Sequence, residues 1–239
     1  MKNKLSLIAI LFIMCAACVS CVDNLIPIKG NGKLVTSERN VSGFQKIDVS
    51  GDADVRFHKS TEYRAVITID SNLEEHVEIV VKNDELKIKT KRGRNLRHTK
   101  FQVDVYCPTV TGVDMSGSGS FESEDKVISS MFRLDISGSG KVNVAVECEN
   151  FFADISGSGK ITATGNSNST DIDISGSGKF HGKEFTTHNA EITVSGSGDI
   201  NIDVINTLKA KISGSGNINY SGNPAIDSKV SGSGKIKKE

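Results

Sequence analysis

The sequence has no tryptophan, and aromatic residues make up only 5% of its 239 positions. So few large rings argue against one thick globular core and suit a thin core of Val and Ile. No excess of either charge is present, with Lys+Arg and Asp+Glu both at 29. That balance argues against a nucleic-acid binder, which should be strongly basic. After the N-terminal segment no apolar run approaches the ~18 to 20 residues of a membrane helix. Histidines number five, and none has a His-x-x-x-His or Cys-x-x-Cys partner. His181 and His188 lie seven residues apart, a weak basis for a metal. No cofactor or metal site is expected.

The first residues read as a processing signal. Met1-Lys2-Asn3-Lys4 is positive, and Leu5 to Met14 is an apolar run the size of a signal-peptide core. Cys15-Ala16-Ala17-Cys18-Val19-Ser20-Cys21 follows and resembles the lipobox of bacterial lipoproteins. Cys18, after Ala16-Ala17, is the first choice for lipidation and Cys21 the alternative. A plain secretory signal is the competing reading. Residues 1–21 are thus expected to be a signal peptide and anchor region. A lipid anchor would make the membrane a partner while the domain stays soluble. The expected location is the cell envelope, most simply the outer membrane, with periplasmic-facing and surface-facing placements both open.

The mature chain is organised by a repeat. Ser-Gly-Ser-Gly begins at Ser116, Ser137, Ser156, Ser175, Ser195, Ser213 and Ser231, in steps of 21, 19, 19, 20, 18 and 18 residues. Each copy follows a polar–apolar pair such as Asp135-Ile136 and precedes another such as Lys141-Val142. That period-two alternation predicts strands. Ile136, Gly138, Gly140 and Val142 share one parity, which would aim the glycines inward. The glycine pairs Gly117/Gly119, Gly138/Gly140, Gly157/Gly159, Gly176/Gly178, Gly196/Gly198, Gly214/Gly216 and Gly232/Gly234 are therefore the predicted corners, where a coil bends or narrows. A period of 18 to 21 residues is one coil of an all-β, single-stranded parallel β-helix, right-handed by the general preference for parallel crossovers. Propeller blades, leucine-rich repeats and Ca²⁺-binding nonapeptide rolls have other periods or patterns. A phosphate-cradling loop would need a helix after Gly-Lys, whereas a strand pattern follows.

Residues 28–239 read as one domain, irregular over 28–115 and regular over 116–239. Ile47-Asp48-Val49-Ser50-Gly51 is a degenerate copy, and the 66 residues from Ser50 to Ser116 leave room for about three coils. Strand-like runs lie at Ala65 to Ile69, Val77 to Val81, Leu86 to Lys89 and Phe101 to Tyr106, with a tight turn at Asn83-Asp84-Glu85. Leu73 to His76 fits a short helical turn, and the basic stretch Lys91 to Lys100 a mobile excursion. Cys107 and Cys148 should stand about two rungs apart, roughly 9 to 10 Å, beyond disulfide reach, and be buried thiols.

Several motifs resemble one family. Gly30-Asn31-Gly32, Glu38-Arg39 and Val41-Ser42-Gly43-Phe44 form its opening pattern. Ile47 to Gly51, Pro108-Thr109-Val110 and Met115 to Gly119 continue it, and the Ser-Gly array completes it. Together they are similar to the head GIN domain of the putative auto-transporter adhesin family, frequent in Bacteroidetes envelope lipoproteins, over residues 28 to 239. The resemblance implies a single-stranded right-handed β-helix and brings no catalytic or binding residues. One departure is Ser50-Gly51-Asp52-Ala53, where the second glycine is replaced.

Candidate chemistry lies in columns along the stack. Ser120, Lys141, Lys160, Lys179, Asp199, Asn217 and Lys235 follow the tetrapeptides, and Asp114, Asp135, Asp154, Asp173, Thr193, Lys211 and Lys229 precede them. One reading is compensating charge on a solvated face. The other is a flat polar surface for a repeating polymer such as a glycan, contacted by Lys141, Lys160 and Lys179. A non-catalytic adhesin or glycan- or protein-binding module is the leading expectation, with an envelope structural or assembly protein as the alternative. A β-helical polysaccharide enzyme comes third, because arginines are nearly absent from the array, where Arg133 stands alone.

Overall fold

The structure is a computed structural model and describes residues 27–91 and 95–239. The segment expected to be a signal peptide and anchor, with Cys18 and Cys21, lies outside the described residues. Strand alternation dominates the chain, and among the described residues no α-helix is present. The N-terminal strands are β1 (Ile28–Lys29), β2 (Leu34–Asn40), β3 (Lys46–Gly51), β4 (Asp54–Lys59), β5 (Arg64–Asp70), β6 (Val77–Lys82), β7 (Glu85–Thr90), β8 (Leu96–Arg97) and β9 (Phe101–Cys107). A one-turn 3₁₀ helix, Glu74–His76, precedes β6. The array continues with β10 (Gly112–Gly117), β11 (Ser120–Ser123), β12 (Val127–Gly138), β13 (Lys141–Gly157), β14 (Lys160–Gly176), β15 (Lys179–Gly196), β16 (Asp199–Gly214), β17 (Asn217–Gly222), β18 (Ala225–Gly232) and β19 (Lys235–Lys238).

The array is a parallel β-solenoid. β13 pairs with β14 from Lys141↔Lys160 to Gly157↔Gly176. β12 lies on one side of that pair and β15 on the other, all parallel. Apolar residues of one parity stack inward, as in Ile136–Ile155–Ile174–Val194 and Val142–Ile161–Phe180–Ile200, all at most 2% exposed. Fully burying such a side chain is worth about 1.5 to 3 kcal/mol, and a coil achieves this only against its neighbours. Phe151 packs on Phe180 and Phe185, with centroids 6.0 and 4.8 Å away. Three hydroxyls share this core: Ser167 Oγ lies 2.6 Å from Thr170 Oγ1 and 2.9 Å from Thr187 Oγ1, all buried, so each polar atom has a partner.

Each Ser-Gly-Ser-Gly ends one strand and starts the next after a bend. Its two glycines differ, contrary to the shared inward parity expected of them. From Gly117 to Gly232 the first glycine has φ between +119° and +134°, where an L side chain is strained. It stands partly or fully exposed. The second glycine is not a bend, since none of Gly119, Gly140, Gly159, Gly178, Gly198, Gly216 and Gly234 has a positive φ. The first six of these are buried, and Gly234, on the last rung, is half-buried. They mark where the coil narrows. A Cβ on Gly178 would lie 2.5 Å from Ile155 Cγ2, one on Gly198 2.6 Å from Ile174 Cγ2, one on Gly216 2.6 Å from Val194 Cγ1, and one on Gly234 2.6 Å from Ile212 Cγ2. Ile136, Gly140 and Val142 are all buried, so the inward parity runs through the corner and the first glycine alone, at the bend, leaves it. Only the second glycine therefore faces the core, and the corner splits into a bending residue and a packing residue. Ser139 N donates to Gly117 O at 2.9 Å and Lys141 N to Gly119 O at 3.0 Å, so the rungs stay bonded through the corner.

The N-terminal half departs from three further coils. β10 pairs directly with β3, Ser116 opposite Ser50, and β11 pairs with β4. β7 and β9 lie on the other side of β3 and β4, also parallel. The first rung is thus sandwiched between two rungs that come later in the chain. The reason is chain reversal. Asn83 and Asp84, at φ 55° and 60°, make a two-residue hairpin joining β6 to β7 antiparallel. β5 pairs antiparallel with both β2 and β9. Spacing counts residues per coil but is blind to direction. The result is an antiparallel end on a parallel stack.

The Gly30-Asn31-Gly32 motif works at that end. Buried Asp70 accepts hydrogen bonds from Gly32 N (2.7 Å), Thr99 N (2.6 Å) and Thr99 Oγ1 (3.0 Å). These donors, the Thr99 amide first, hold its carboxyl below the usual range. A Cβ on Gly30 would overlap the Asp70 carboxyl group. The stretch expected to be a mobile excursion is therefore tied in part: β8 pairs with β1, and Thr99 bonds Asp70. Cys107 and Cys148 are free and buried. Three pairings separate their strands (β9–β4, β4–β11, β11–β13), one more than expected, because the β3–β4 rung is intercalated.

Candidate functional site

Register turns the repeats into charged columns on two faces. On one face the residue after each corner stacks as Asp54, Ser120, Lys141, Lys160, Lys179, Asp199, Asn217 and Lys235. The three consecutive lysines sit on adjacent rungs of β13, β14 and β15, about one strand spacing apart, and all are exposed. Lys179 Nζ reaches Asp199 Oδ2 at 4.0 Å. Among the described residues, no carboxylate comes within ion-pair distance of Lys141 or Lys160. Like charges in line destabilise a sheet, so this column is costly to the isolated fold.

Beside it runs a polar column that the sequence reasoning left out: Asn143, Thr162, His181, Asn201 and Asn219. It was legible, since these residues lie two positions after the first column. His181 stands beside the lysines, and burial, then Lys160 and Lys179, push its pKa down, favouring the neutral ring. Asn219 Nδ2 donates to Asn201 Oδ1 at 3.1 Å, and Asn217 Nδ2 to Asp199 Oδ1 at 2.9 Å, which fixes the upper rungs. The face therefore offers a row of ammonium groups next to a row of amide, hydroxyl and imidazole groups. It could accept oxyanions spaced along a chain.

Across the corner lies the acidic column. Asp114, Asp135, Asp154 and Asp173 stack in register, and Asp48 of β3 extends them to five. Asp48 was missed because its rung precedes the array in sequence, although Ile47-Asp48-Val49-Ser50 carries the repeat pattern. Lys87 closes the lower end, with Nζ 3.0 Å from Asp48 Oδ2 and a second bond to Glu85 at 2.6 Å. Above Asp173 the column turns to Thr193, Lys211 and Lys229. Asp48, Asp114, Met115, Ser116, Asp135 and Ser137 line a shallow depression of about 290 Å³. There burial, then the hydrogen bond and charge of Asp135, push the Asp114 carboxyl up to about 6. Asp154 is also raised, by burial and then by Asp135 and Asp173. Arg133 offers one counter-charge, 3.4 Å from Asp135.

The remaining candidates are scattered. His181 and His188 stand on β15, and among the described residues no group of three His, Cys, Asp or Glu is arranged to hold a metal. The glycine corners form the ridge between the two charged faces.

Comparisons with known proteins agree with this architecture. The family described as "Putative auto-transporter adhesin, head GIN domain" matches residues 43–224. No curated protein matches the chain. Among solved structures, a putative adhesin from Bacteroides fragilis superposes with a TM-score of 0.85 at 22% identity, over 89% of this chain and 100% of that one. A putative lipid binding protein from Parabacteroides distasonis gives 0.76 at 27% identity, over 90% and 100%. A putative adhesin from Parabacteroides merdae gives 0.73 at 26% identity, over 89% and 98%.

Proposed function

Since the chain belongs to the putative auto-transporter adhesin head GIN domain family, we propose that it is a cell-envelope lipoprotein whose rigid solenoid binds an acidic polymer, foremost an anionic glycan. The carrying observation is the column of Lys141, Lys160 and Lys179, in register on three adjacent rungs and exposed, with Thr162 and His181 alongside. A solenoid suits this task because its backbone spacing roots the three lysines at a fixed pitch without ordering loops on binding. Attachment to the outer membrane would come through a lipid on Cys18, or on Cys21 if processing occurs there.

The test is binding of the full chain to acidic and neutral polysaccharides and to matrix proteins at two salt concentrations. Binding confined to acidic polymers and weakened by salt is expected, since exposed charges are screened within about 10 Å at 0.1 M. Equal binding to neutral and acidic polymers, or none to any, would refute it. Incorporation of labelled fatty acid, lost on Cys18→Ala or Cys21→Ala, tests the anchor separately.

A further inference from the structure

The lysine and aspartate ladders stand on the same rungs of one solenoid. Asp135, Asp154 and Asp173 each precede by six residues the lysine of their own coil, Lys141, Lys160 and Lys179. Both ladders repeat at the strand spacing of about 4.8 Å, because the same parallel backbone sets both. Within the molecule they cannot neutralise each other. The Ser-Gly corner separates the two faces, and among the described residues no ion pair joins the columns; Arg133–Asp135 and Lys179–Asp199 are the nearby pairs. Stacked like charges are unfavourable on both faces.

We infer that the lysine face of one copy docks, side by side and with rungs aligned, against the aspartate ladder of a second copy. This rests on the proposal above that the lysine face is a binding surface, and it names a protein occupant for it. Charge and pitch both select that occupant. A glycan matches a row of charges about 4.8 Å apart only if its own repeat is commensurate, whereas a second copy matches it by construction. With zero stagger, Asp135 meets Lys141, Asp154 meets Lys160 and Asp173 meets Lys179. The contact joins unlike faces, so it leaves one lysine face and one aspartate face free at the ends of each pair. Such a heterologous contact does not close into a two-fold dimer but continues into a ring or an open row. Individual exposed ion pairs are weak, so one contact is transient, and many copies displayed on a surface act together. Adhesion between surfaces that carry the same protein follows.

The experiment uses beads coated with the full chain. One variant carries Lys141→Glu, Lys160→Glu and Lys179→Glu, which makes both faces acidic. The other carries Asp135→Lys, Asp154→Lys and Asp173→Lys, which makes both basic. Wild-type beads should aggregate at low salt and disperse at high salt. Each variant alone should stay dispersed, and a mixture of the two should aggregate again. Circular dichroism and melting checks that each variant folds, and Asp→Ser at the same three positions replaces the lysine variant if it does not. Dispersed wild-type beads, aggregation untouched by either reversal, or no rescue on mixing overturns the inference. Binding of a soluble acidic polysaccharide, measured on the same beads, separates the two proposals: polysaccharide binding without self-aggregation sinks this one alone, and aggregation without polysaccharide binding sinks the glycan ligand alone.

Discussion

Replacing Gly138 by Ala should damage the protein far more than replacing Gly140, although the two glycines belong to one tetrapeptide. Gly138 has φ +129°, and a Cβ there would lie 2.6 Å from Gly117 O, a backbone atom that cannot step aside. A residue forced into so sparse a region costs about 1 to 3 kcal/mol, and relieving the contact must disturb a rung-to-rung bond worth about 1 kcal/mol. The expected loss is about 2 to 4 kcal/mol. For a domain of this size each kcal/mol moves Tm by about 2 to 4 °C, so Gly138→Ala should melt roughly 4 to 16 °C lower. At Gly140 φ is not positive, and the nearest atom to an added Cβ is the mobile Met115 Cε at 3.3 Å. Minor crowding there is offset by about 0.4 to 1 kcal/mol from restricting the unfolded chain. Gly140→Ala should therefore stay within about 3 °C of wild type. The first rung already holds Ala53 at the second-glycine position, 1% exposed, beside a Gly51 that keeps φ +123°. Thermal melts followed by strand circular dichroism decide the matter. Equal losses, or a greater loss at Gly140, would refute the assignment of the bend to the first glycine.

Other outcomes follow from the charged column and the core. The Asp114 carboxyl, pushed up to about 6 by burial and Asp135, has a folded pKa above its unfolded value of about 3.9. Its contribution to stability is therefore fully present below about pH 4 and lost as pH rises through 6. Asp114→Asn should stabilise the fold at pH 7 by on the order of 1 kcal/mol after solvent screening, and flatten the denaturant midpoint between pH 4 and 6. The thiols of Cys107 and Cys148, which burial pushes up to about 12 and about 11, should resist a thiol reagent in the native protein and react once denaturant is added. Thr187→Val leaves Ser167 and Thr170 short of a buried partner and should cost about 1 to 3 kcal/mol in urea unfolding.

The regular half of the fold was legible because its signal is local and repeated. Gly138 and its equivalents cannot carry a side chain, so every coil shows the same punctuation, and a constant offset from it places Lys141, Lys160 and Lys179 in one column. The division of labour within each glycine pair was not legible, because parity assigns both glycines inward and nothing in the tetrapeptide marks the first as the one that takes the positive-φ bend. Strands β5, β6, β7 and β9 and the Asn83-Asp84 turn of the irregular half were legible too, whereas β2 and β8 were not. What escaped was the order in which they stack. That Ser116 lies on Ser50, 66 residues away, is decided by the antiparallel hairpin β6–β7, whose direction no period reveals. The same blindness put Cys107 one rung too close to Cys148, while Asp48 was passed over because its rung precedes the array. The role of Asp70 was hidden for another reason. A lone aspartate ending a strand gives no sign that Gly32 and Thr99 will converge on it from two distant segments.

The most direct test of the functional account is the affinity of the full chain for an acidic polysaccharide, measured across a salt series beside the variant Lys141→Ser, Lys160→Ser, Lys179→Ser. The account predicts that the variant keeps its fold, binds several-fold more weakly at low salt, and loses part of the salt dependence. Unchanged affinity and an unchanged salt slope in a folded variant would contradict it.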